Sequence, residues 1–411
     1  MKLSSIQMLR GLAAFAVMMS HLYAIELNAI DIRGSGDAAL LGPVWEKGFA
    51  GVDLFFIISG FIMVYVTAGR ERGAASAADF LIARATRIYP LWWLFMGITA
   101  IYFMAIHGVP GDPIQFQQAG HSEAVYLLNS ALLLPQAGHP ALGIGWTLIH
   151  EMYFYVVFGA FLFAPQRWLP VLLALWALFV VACDVAGYSN YYPTNLFELA
   201  NYPMTIEFIA GAFIAMLVMS GRRTWALPLT LIGAGAFIVS MFVFSNADSE
   251  YTLRWGRVLW FGLPAAVLIY GISSFEADGG LRRENWPGSL KNLSSFFWRI
   301  LVRLGDISFA LYLGHILAIS GLKRLFEYGA GQLSVFGAPD WLVNMFLLGT
   351  PGALDNIVFV ISSIVAAIIL AELTYRLFEK PSLSILGQLR RKIIRPIQAP
   401  KRGQMVREAV W

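Results

Sequence analysis

The first long apolar stretch of the chain covers residues 8–27 and reads MLRGLAAFAVMMSHLYAIEL. A helix needs about 20 predominantly apolar residues to cross the hydrocarbon core of a bilayer, and this stretch has that length. Nine further stretches have the same character, at about residues 50–68, 88–106, 145–164, 168–186, 202–220, 225–245, 256–274, 303–322 and 354–378. The alternation of apolar and polar residues that marks a barrel strand is missing from them. The sequence therefore predicts an all-α polytopic membrane protein, a bundle of about ten transmembrane helices.

The composition points to the same class of protein. Of the 411 residues, 58% are hydrophobic and 13% are charged, and the mean hydropathy is +0.66. The charged share of soluble proteins is roughly 25%, so an ordinary soluble enzyme and a disordered protein are excluded. The net charge of +4 is too small to indicate a polyanionic partner, and we expect no nucleic acid. The single cysteine, Cys183, allows no internal disulfide and no cysteine metal cluster, and we expect no metal.

The basic residues predict how the bundle is oriented. If the N-terminus is cytoplasmic and the spans alternate, only six of the 29 lysines and arginines face outward. These are Arg33, Lys47, Arg254, Arg257, Lys323 and Arg324. Cytoplasmic loops of membrane proteins carry an excess of Lys and Arg, so both the N- and the C-terminus are predicted to be cytoplasmic.

Two segments lie outside the pattern of long spans. Glu123–Leu134 is apolar but too short to cross a membrane, so we predict an interfacial or re-entrant helix there. Residues 381–411 are basic and have Glu408 as their only acid after the last span. We predict that they form a basic cytoplasmic tail behind a membrane domain of residues 1–380.

Arg10 and His21 are ionisable residues of the first span. Such residues are costly inside a membrane and mark functional candidates. The two are eleven residues apart, about three helical turns, so they share one helix face with a rise of about 16 Å between them. Taken alone, Arg10 would be an arginine that snorkels to the lipid surface, and His21 a hydrogen-bonded structural histidine. Because the two residues share a helix face, we favour a functional role for both over these structural roles.

Two carboxylates enter the spans from the predicted outer side. Asp53 opens the second span within GVDLFF (51–56), and Glu151 ends the sequence WTLIHE (146–151) in the fourth span. The structural alternative for Asp53 is capping of a helix N-terminus, and for Glu151 it is exposure at the membrane surface. We expect His150 to be exposed. A carboxylate beside a histidine is a common acid–base arrangement, which makes both carboxylates candidates for catalysis.

Two more polar groups accompany the spans. Arg84 and Arg87 precede the third span on one helix face, where their guanidinium groups would suit a phosphate; contact with lipid headgroups is the alternative. Ser308, Tyr312 and His315 form a polar stripe on the ninth span by i, i+4, i+7 spacing. Such a stripe should face a cavity or another helix, and interhelical hydrogen bonding is the alternative for Ser308 and Tyr312.

In combination, these motifs resemble the acyltransferase-3 family of integral membrane acyltransferases, and within it the exopolysaccharide-production O-acetyltransferases. The resemblance runs from SIQMLRG (5–11) to FEKP (378–381) and includes the Arg-x10-His of the first span, GVDLFF, R-x-x-R, W-T-L-x-x-E and S-x-x-x-Y-L-x-H (308–315). It implies a ten-helix domain in the bacterial inner membrane. It further implies transfer of an acyl group, most often acetyl, from cytoplasmic acyl-CoA to hydroxyls of cell-envelope glycans. Arg10 and His21 would be essential.

The resemblance suggests where the donor, acetyl-CoA, would bind. Arg84 and Arg87 would hold its phosphates at the cytoplasmic mouth, and Arg10 would lie on the path of the phosphates or of the pantetheine arm. The side chains expected to line the passage of the thioester are Ser308, Tyr312 and His315.

For catalysis, we expect His21 to act as general base on a hydroxyl of a glycan or lipid-linked oligosaccharide. Glu151 or Asp53 would orient its imidazole. A covalent acetyl-histidine intermediate is the variant of this mechanism. A transporter or flippase of lipid-linked glycans, without acyl transfer, is the alternative function. A structural subunit of an export complex would explain the spans but not the intramembrane histidines.

Overall fold

The computed structural model describes residues 3–188, 192–244, 255–281 and 288–394 of the chain. The structure is 80% helical, and the described residues contain no β-strand. Ten helices of this described part are long and apolar enough to cross a membrane, which agrees with the predicted all-α bundle. The predicted orientation of the termini stays a prediction. The cytoplasmic set of that prediction included Lys2, Arg282, Arg283 and the basic residues from 395 onward, and its outer set included Arg254. These residues lie outside the described part of the chain.

The helices follow one another along the chain with short connections. In chain order they are α1 (Ser4–Arg33), α2 (Gly51–Thr67), α3 (Ala74–His107), α4 (Pro113–Ala119), α5 (Glu123–Leu132), α6 (Trp146–Phe161), α7 (Leu169–Val185), α8 (Leu196–Ala200), α9 (Thr205–Met219), α10 (Ala226–Val243), α11 (Leu263–Ala277), α12 (Gly288–Asp306), α13 (Ser308–Val335), α14 (Asp340–Asn344), α15 (Leu354–Thr374) and α16 (Lys380–Ile394). The spans are built by α1, α2, α3, α6, α7, α9, α10, α11, α13 and α15.

Several helices are longer than the apolar stretches that predicted them. α1 extends beyond residues 8–27 at both ends, and it stops at Gly34, whose φ of 64° is left-handed. α3 ends in the same way at Gly108, with a φ of 71°. Hydropathy marks only the part of a helix that lipid can surround, whereas the helix continues until a residue such as glycine ends it.

The predicted start of the ninth span at residue 303 is wrong. α12 ends at Asp306 and α13 begins at Ser308, so the chain breaks between two helices inside the predicted stretch. The apolar residues in the last turns of α12 merge with those of α13 in the sequence, and hydropathy alone cannot separate them.

The short helix predicted at Glu123–Leu134 is present as α5. Its last carbonyl groups accept hydrogen bonds from α3: Trp92 Nε1 donates to Ser130 O at 3.0 Å, and Trp93 Nε1 donates to Ala131 O at 2.9 Å. These bonds satisfy carbonyls that an isolated helix end leaves without a partner. α5 is thereby fixed against the side of α3.

Glycines allow α2 and α9 to pack closely. Gly60 of α2 faces the carbonyl of Phe208 on α9, and Gly211 of α9 faces the carbonyl of Ile57 on α2. A Cβ atom at either glycine would overlap the facing oxygen. Small residues at helix contacts are the usual way for membrane helices to approach one another.

α1 lies in contact with many other parts of the bundle. It packs against α2, α12 and α13, and also against the 3₁₀ segment Pro43–Ala50 that leads into α2. Gly11 of α1 meets the backbone of Gly305 on α12, which brings these two helices close together. Side chains on α1 therefore face several other helices, and α1 carries both Arg10 and His21.

The last span continues without a break into the predicted tail. α15 passes through a π-helical segment, Tyr375–Glu379, into α16. α16 packs along α3, where Arg390 Nε lies 3.3 Å from Asp79 Oδ1. The described part of residues 381–411 is therefore helical and rests on the helix that carries Arg84 and Arg87.

Candidate active site

A narrow cavity of about 80 Å³ opens where α1, α2, α3, α6 and α13 meet. Three arginines line it, Arg10 from α1 and Arg84 and Arg87 from α3. We call this side of the bundle the arginine end, and the opposite side, where α1 stops at Arg33, the far end. The other polar side chains of the cavity are Ser59, Thr147, Glu151, Tyr155 and Tyr312. The structure thus brings the two predicted arginine motifs together with Glu151 and Tyr312.

Arg10 is held inside the bundle. Only 9% of the residue is exposed, and its Nη1 donates a hydrogen bond of 3.2 Å to Gln7 Oε1. Gln7 Nε2 in turn donates to Asp306 Oδ1 of α12 at 3.0 Å. These bonds fix the guanidinium group at the cavity, so the alternative of an arginine that snorkels to the lipid surface does not describe it.

Glu151 faces the same cavity and is half-buried. Ser59 Oγ of α2 donates a hydrogen bond to Glu151 Oε1 at 3.0 Å, and the hydroxyl of Tyr155 donates to the same oxygen. The guanidinium carbon of Arg84 lies 5.7 Å from the ring centre of Tyr155. The carboxylate therefore sits among the positive charges of the cavity wall, and the alternative of surface exposure does not describe it.

His21 and His315 are neighbours, although 294 positions separate them in the sequence. Their ring centres are 5.1 Å apart, with α1 and α13 packed side by side. Nδ1 of His315 lies 3.1 Å from the carbonyl oxygen of Leu311. Because a carbonyl can only accept, Nδ1 carries the hydrogen, which leaves Nε2 of a neutral His315 as an acceptor. This Nε2 is buried and has no hydrogen-bond partner in the part of the chain that the structure describes.

The two carboxylates predicted to orient His21 have other partners. Asp53 is completely buried and forms an ion pair with Arg257, whose Nη2 lies 2.6 Å from Asp53 Oδ2 and whose Nε lies 3.2 Å from Oδ1. In the described part of the chain, neither Asp53 nor Glu151 makes a hydrogen bond with His21. The expected contact with His21 is therefore wrong, because the side chain beside that imidazole is His315. A catalytic role of the two carboxylates stays a prediction.

The sequence interpretation missed Arg257 and Glu207. Arg257 was counted among the outer loops, but it enters the bundle just before the π-helical segment Val258–Gly262. Glu207 of α9 is 1% exposed and interacts with Asp53 and Arg257. Both residues stand at the edge of apolar stretches, and an ionisable residue in that position was a usable signal.

The polar stripe of α13 faces the bundle interior. The hydroxyl of Tyr312 lies 2.8 Å from Thr147 Oγ1 of α6 and donates to the carbonyl of Ile144 at 3.3 Å. Ser308 is fully buried, and its Oγ finds no hydrogen-bond partner among the described residues. Tyr312 therefore makes the interhelical hydrogen bond that was the alternative prediction, and it also lines the cavity. The predicted role of Ser308 and Tyr312 in donor binding stays a prediction.

The expected exposure of His150 is wrong. The residue is 3% exposed, its Nδ1 bonds the carbonyl of Trp146 at 2.9 Å, and its ring centre lies 4.8 Å from that of Tyr202. The sequence placed His150 next to Glu151 at a membrane surface, whereas the rings of Phe56 on α2 and of Tyr202 in the turn before α9 pack against it.

Two kinds of functional group lie at different levels along α1. The arginine end offers forked cationic donors, which suit a phosphorylated anion. The histidine pair, about 16 Å further along the same helix face, offers imidazole nitrogens that can accept or donate a hydrogen. Among the described residues, no group of three or more His, Cys, Asp or Glu side chains is placed to hold a metal ion.

Comparison with known proteins gives a family for this architecture. The family profile described as "Acyltransferase domain" matches residues 3–376. The exopolysaccharide production protein ExoZ of Rhizobium meliloti (strain 1021) is 31% identical over 313 residues, which cover 75% of this chain and 87% of that protein. No solved structure shows a significant match.

Two more distant relatives are acyltransferases by name. The acyltransferase MdmB of Streptomyces mycarofaciens is 25% identical over 95% of this chain and 94% of its own length. The peptidoglycan O-acetyltransferase OatA of Listeria monocytogenes is 24% identical over 92% of this chain, but over only 55% of its own length. A match over nearly the whole membrane domain, together with these relatives, shows the family. The chain belongs to the acyltransferase-3 family and is a multi-pass membrane O-acyltransferase.

Proposed function

We propose that this enzyme transfers an acetyl group from acetyl-CoA to a hydroxyl group of a cell-envelope or exported glycan in the bacterial inner membrane. The observation that carries the proposal is the common face of α1. Arg10 shares the cavity of Arg84 and Arg87 at one end of that face, and His21 follows three turns later beside His315. The relative named for exopolysaccharide production and the one named as a peptidoglycan O-acetyltransferase support a glycan as acceptor.

In the proposed reaction, His21 is the general base. Its imidazole takes the proton of the sugar hydroxyl while that oxygen attacks the thioester carbonyl, and the carbon–sulfur bond then breaks. The proton passes from His21 to the departing thiolate, which leaves as coenzyme A. His315 takes the place of Glu151 or Asp53 as the neighbour that orients His21, because its Nε2 is an acceptor beside that ring and has no other partner within the described ranges.

The donor would lie with its phosphates at the arginine end. Arg84 and Arg87 are held on one side of α3, and Nε of Arg84 is buried without a hydrogen-bond partner in the described residues. A buried donor group without a partner is costly, and a bound phosphate oxygen would supply the partner. Direct transfer and an acetyl-histidine intermediate both fit this placement, and acetylated protein trapped in the absence of acceptor would indicate the intermediate.

The central test is transfer of labelled acetyl from acetyl-CoA to isolated envelope glycan by the purified full-length protein. We expect His21→Ala to abolish transfer while it keeps acetyl-CoA binding and monodisperse behaviour in detergent. The matched control is His107→Ala, because His107 is an exposed histidine at the end of α3. Normal turnover by His21→Ala, or a wild-type protein that binds no acetyl-CoA, would contradict the proposal.

A second test concerns the arginine end. Replacement of Arg84 and Arg87 by alanine should raise the KM for acetyl-CoA by about tenfold or more and change kcat less, since each charged hydrogen bond contributes roughly 1.5–3 kcal/mol. Arg167→Ala is the control, because Arg167 is an exposed arginine in the loop before α7 and lies outside the cavity. An unchanged KM in the double variant would remove the two arginines from donor binding.

A further inference from the structure

A second cavity, of about 520 Å³, opens at the far end of the bundle. It lies between the last turns of α1, the second half of α13 and the loop that precedes α15. Its charged and polar lining consists of Arg33, Lys323, Glu327 and Thr350. Apolar side chains such as Ile32 complete the wall.

The loop wall of this cavity is fixed in place. The buried carboxylate of Asp355 accepts hydrogen bonds from the backbone N–H groups of Gly349 at 2.7 Å and Thr350 at 3.1 Å. Nε of Arg33 donates to the carbonyl of Leu348 at 2.8 Å. The end of α1 and the loop are thereby tied together, so the cavity is preorganised rather than a gap between mobile segments.

The far cavity lies on the same face of α1 as the residues of the proposed reaction. Arg10, His21 and Ile32 follow one another at intervals of eleven residues, so they lie on one face of α1 and cover about 33 Å of its length. On α13, Lys323 follows His315 by eight residues, a rise of about 12 Å. The arginine end and the far cavity are therefore at opposite ends of one helix face, with the histidine pair between them.

The charges of the cavity favour an anionic ligand. Arg33 and Lys323 supply two cations, and Glu327 supplies one acid, whose Oε1 lies 3.8 Å from Lys323 Nζ. The bond to Leu348 uses Nε of Arg33, and the two Nη atoms form the end that binds a carboxylate in a forked geometry. The hydroxyl of Thr350 donates to the carbonyl of Asn344 at 3.3 Å, and its oxygen can accept a hydrogen bond from a sugar hydroxyl group.

We propose that this far cavity is an acceptor subsite that holds a carboxylate-bearing sugar, such as a uronic acid, of the glycan. The inference rests on the proposed function and names its acceptor class and the place where the acceptor enters. The bound sugar lies more than 10 Å from the histidine pair along α13, roughly the rise of eight residues, so another sugar of the same chain presents the reacting hydroxyl. The subsite selects the glycan and takes no part in bond formation.

The test is direct binding of a fluorescent oligosaccharide that contains glucuronic acid to the purified full-length protein. The same oligosaccharide with its carboxyl groups reduced to hydroxymethyl groups is the neutral probe. We expect the wild type to prefer the carboxylated probe and Lys323→Glu to weaken its binding by about tenfold or more. Glu327→Gln should strengthen it, because an acid is removed from the site.

Arg324→Glu is the matched control. It makes the same change of charge at the next residue of α13, but Arg324 is exposed, stacks on the ring of Tyr102 at 4.9 Å and does not line the cavity. We expect this variant to bind the carboxylated probe like the wild type. Equal binding of the two probes by the wild type, or equal losses in Lys323→Glu and Arg324→Glu, would overturn the subsite.

A lipid headgroup is the competing occupant, and the same preparation tests it. If phosphatidylglycerol vesicles displaced the carboxylated probe from the wild type, the cavity would be a lipid site and the proposal would fail. The binding assay contains no acetyl-CoA, so its result is independent of acetyl transfer. A protein that bound the probe but transferred no acetyl would contradict the proposed function and leave the subsite intact.

Discussion

Asp53 and Arg257 form an ion pair enclosed by protein, with Glu207 beside it. The side chain of Asp53 is inaccessible to solvent, and that of Arg257 is 12% exposed. Arg257 also lies 4.7 Å from the ring centre of Phe49, a cation–π contact. Charges in such a setting are stable only together, because each alone would be buried without compensation.

Asp53→Asn should therefore reduce the free energy of unfolding by about 3–5 kcal/mol, since it removes the carboxylate that is hydrogen-bonded to Arg257. Glu207 does not replace it, because its carboxylate oxygens make no hydrogen bond among the described residues. Thermal unfolding of the purified protein in one detergent measures the loss. Asp278→Asn is the control, because Asp278 pairs with Arg223 at 3.0 Å but is 51% exposed, and it should cost about 1 kcal/mol or less. Equal destabilisation by the two substitutions would show that the Asp53 pair is no better enclosed than a surface pair.

At the scale of single residues, the sequence predicted most of the side chains of the candidate site but few of the side chains that contact them. Arg10, Arg84, Arg87, Glu151 and Tyr312 were predicted as site residues and share one cavity. The contacts His21–His315 and Asp53–Arg257 join residues of helices that are far apart in the chain. Spacing along one helix shows which residues share a face, but it cannot show which helix covers that face. That information resides in the packing of the bundle.

Among the elements, close contact between α2 and α9 fixes the wall of the arginine-end cavity, because α2 supplies Ser59. The contact depends on Gly60 and Gly211, each of which faces a backbone carbonyl of the other helix. Any side chain at these positions must move one helix away from the other. Hydropathy predicted the two helices. The distance between α2 and α9 depends instead on glycines, which have no side chain.

Gly211→Ala should destabilise the protein by about 1–3 kcal/mol, as overpacking of a tight interior does. Gly97→Ala on α3 should have the opposite sign and stabilise it by up to about 1 kcal/mol, because no atom of another described element lies within 4 Å of the added Cβ and alanine is the better helix former. Unfolding of both variants under one set of conditions measures the difference. If both substitutions stabilised the protein, the close approach of α2 and α9 would be refuted.

For the whole molecule, the sequence predicted the number and order of the spans because lipid demands about 20 apolar residues for each crossing. The ends of the helices were less predictable, since capping residues and not hydropathy decide them. The orientation depends on the distribution of Lys and Arg. With both termini in the cytoplasm, the arginine end faces the cytoplasm and the far cavity faces outward.

Cysteine labelling in intact cells tests this orientation. In a Cys183→Ser background, Ala38→Cys near the far end should react with a membrane-impermeant maleimide. Thr224→Cys, in the loop between α9 and α10, should react only after the membrane is opened. Both positions are exposed in the structure, so a difference in labelling reports the side of the membrane and not burial. The reverse pattern would invert the bundle and place the arginine end outside.

Because of the length of α1, the positions of its polar residues depend on the thickness of the bilayer. The helix face from Arg10 to Ile32 covers about 33 Å, close to the hydrocarbon thickness of roughly 30 Å. In a thicker or thinner bilayer, the helix must tilt or the surrounding lipid must deform, at fractions of a kcal/mol for each ångström of mismatch. That cost falls on the helix that carries His21. The acyl-chain length of the surrounding lipids therefore acts on the alignment of the arginine end with the far cavity.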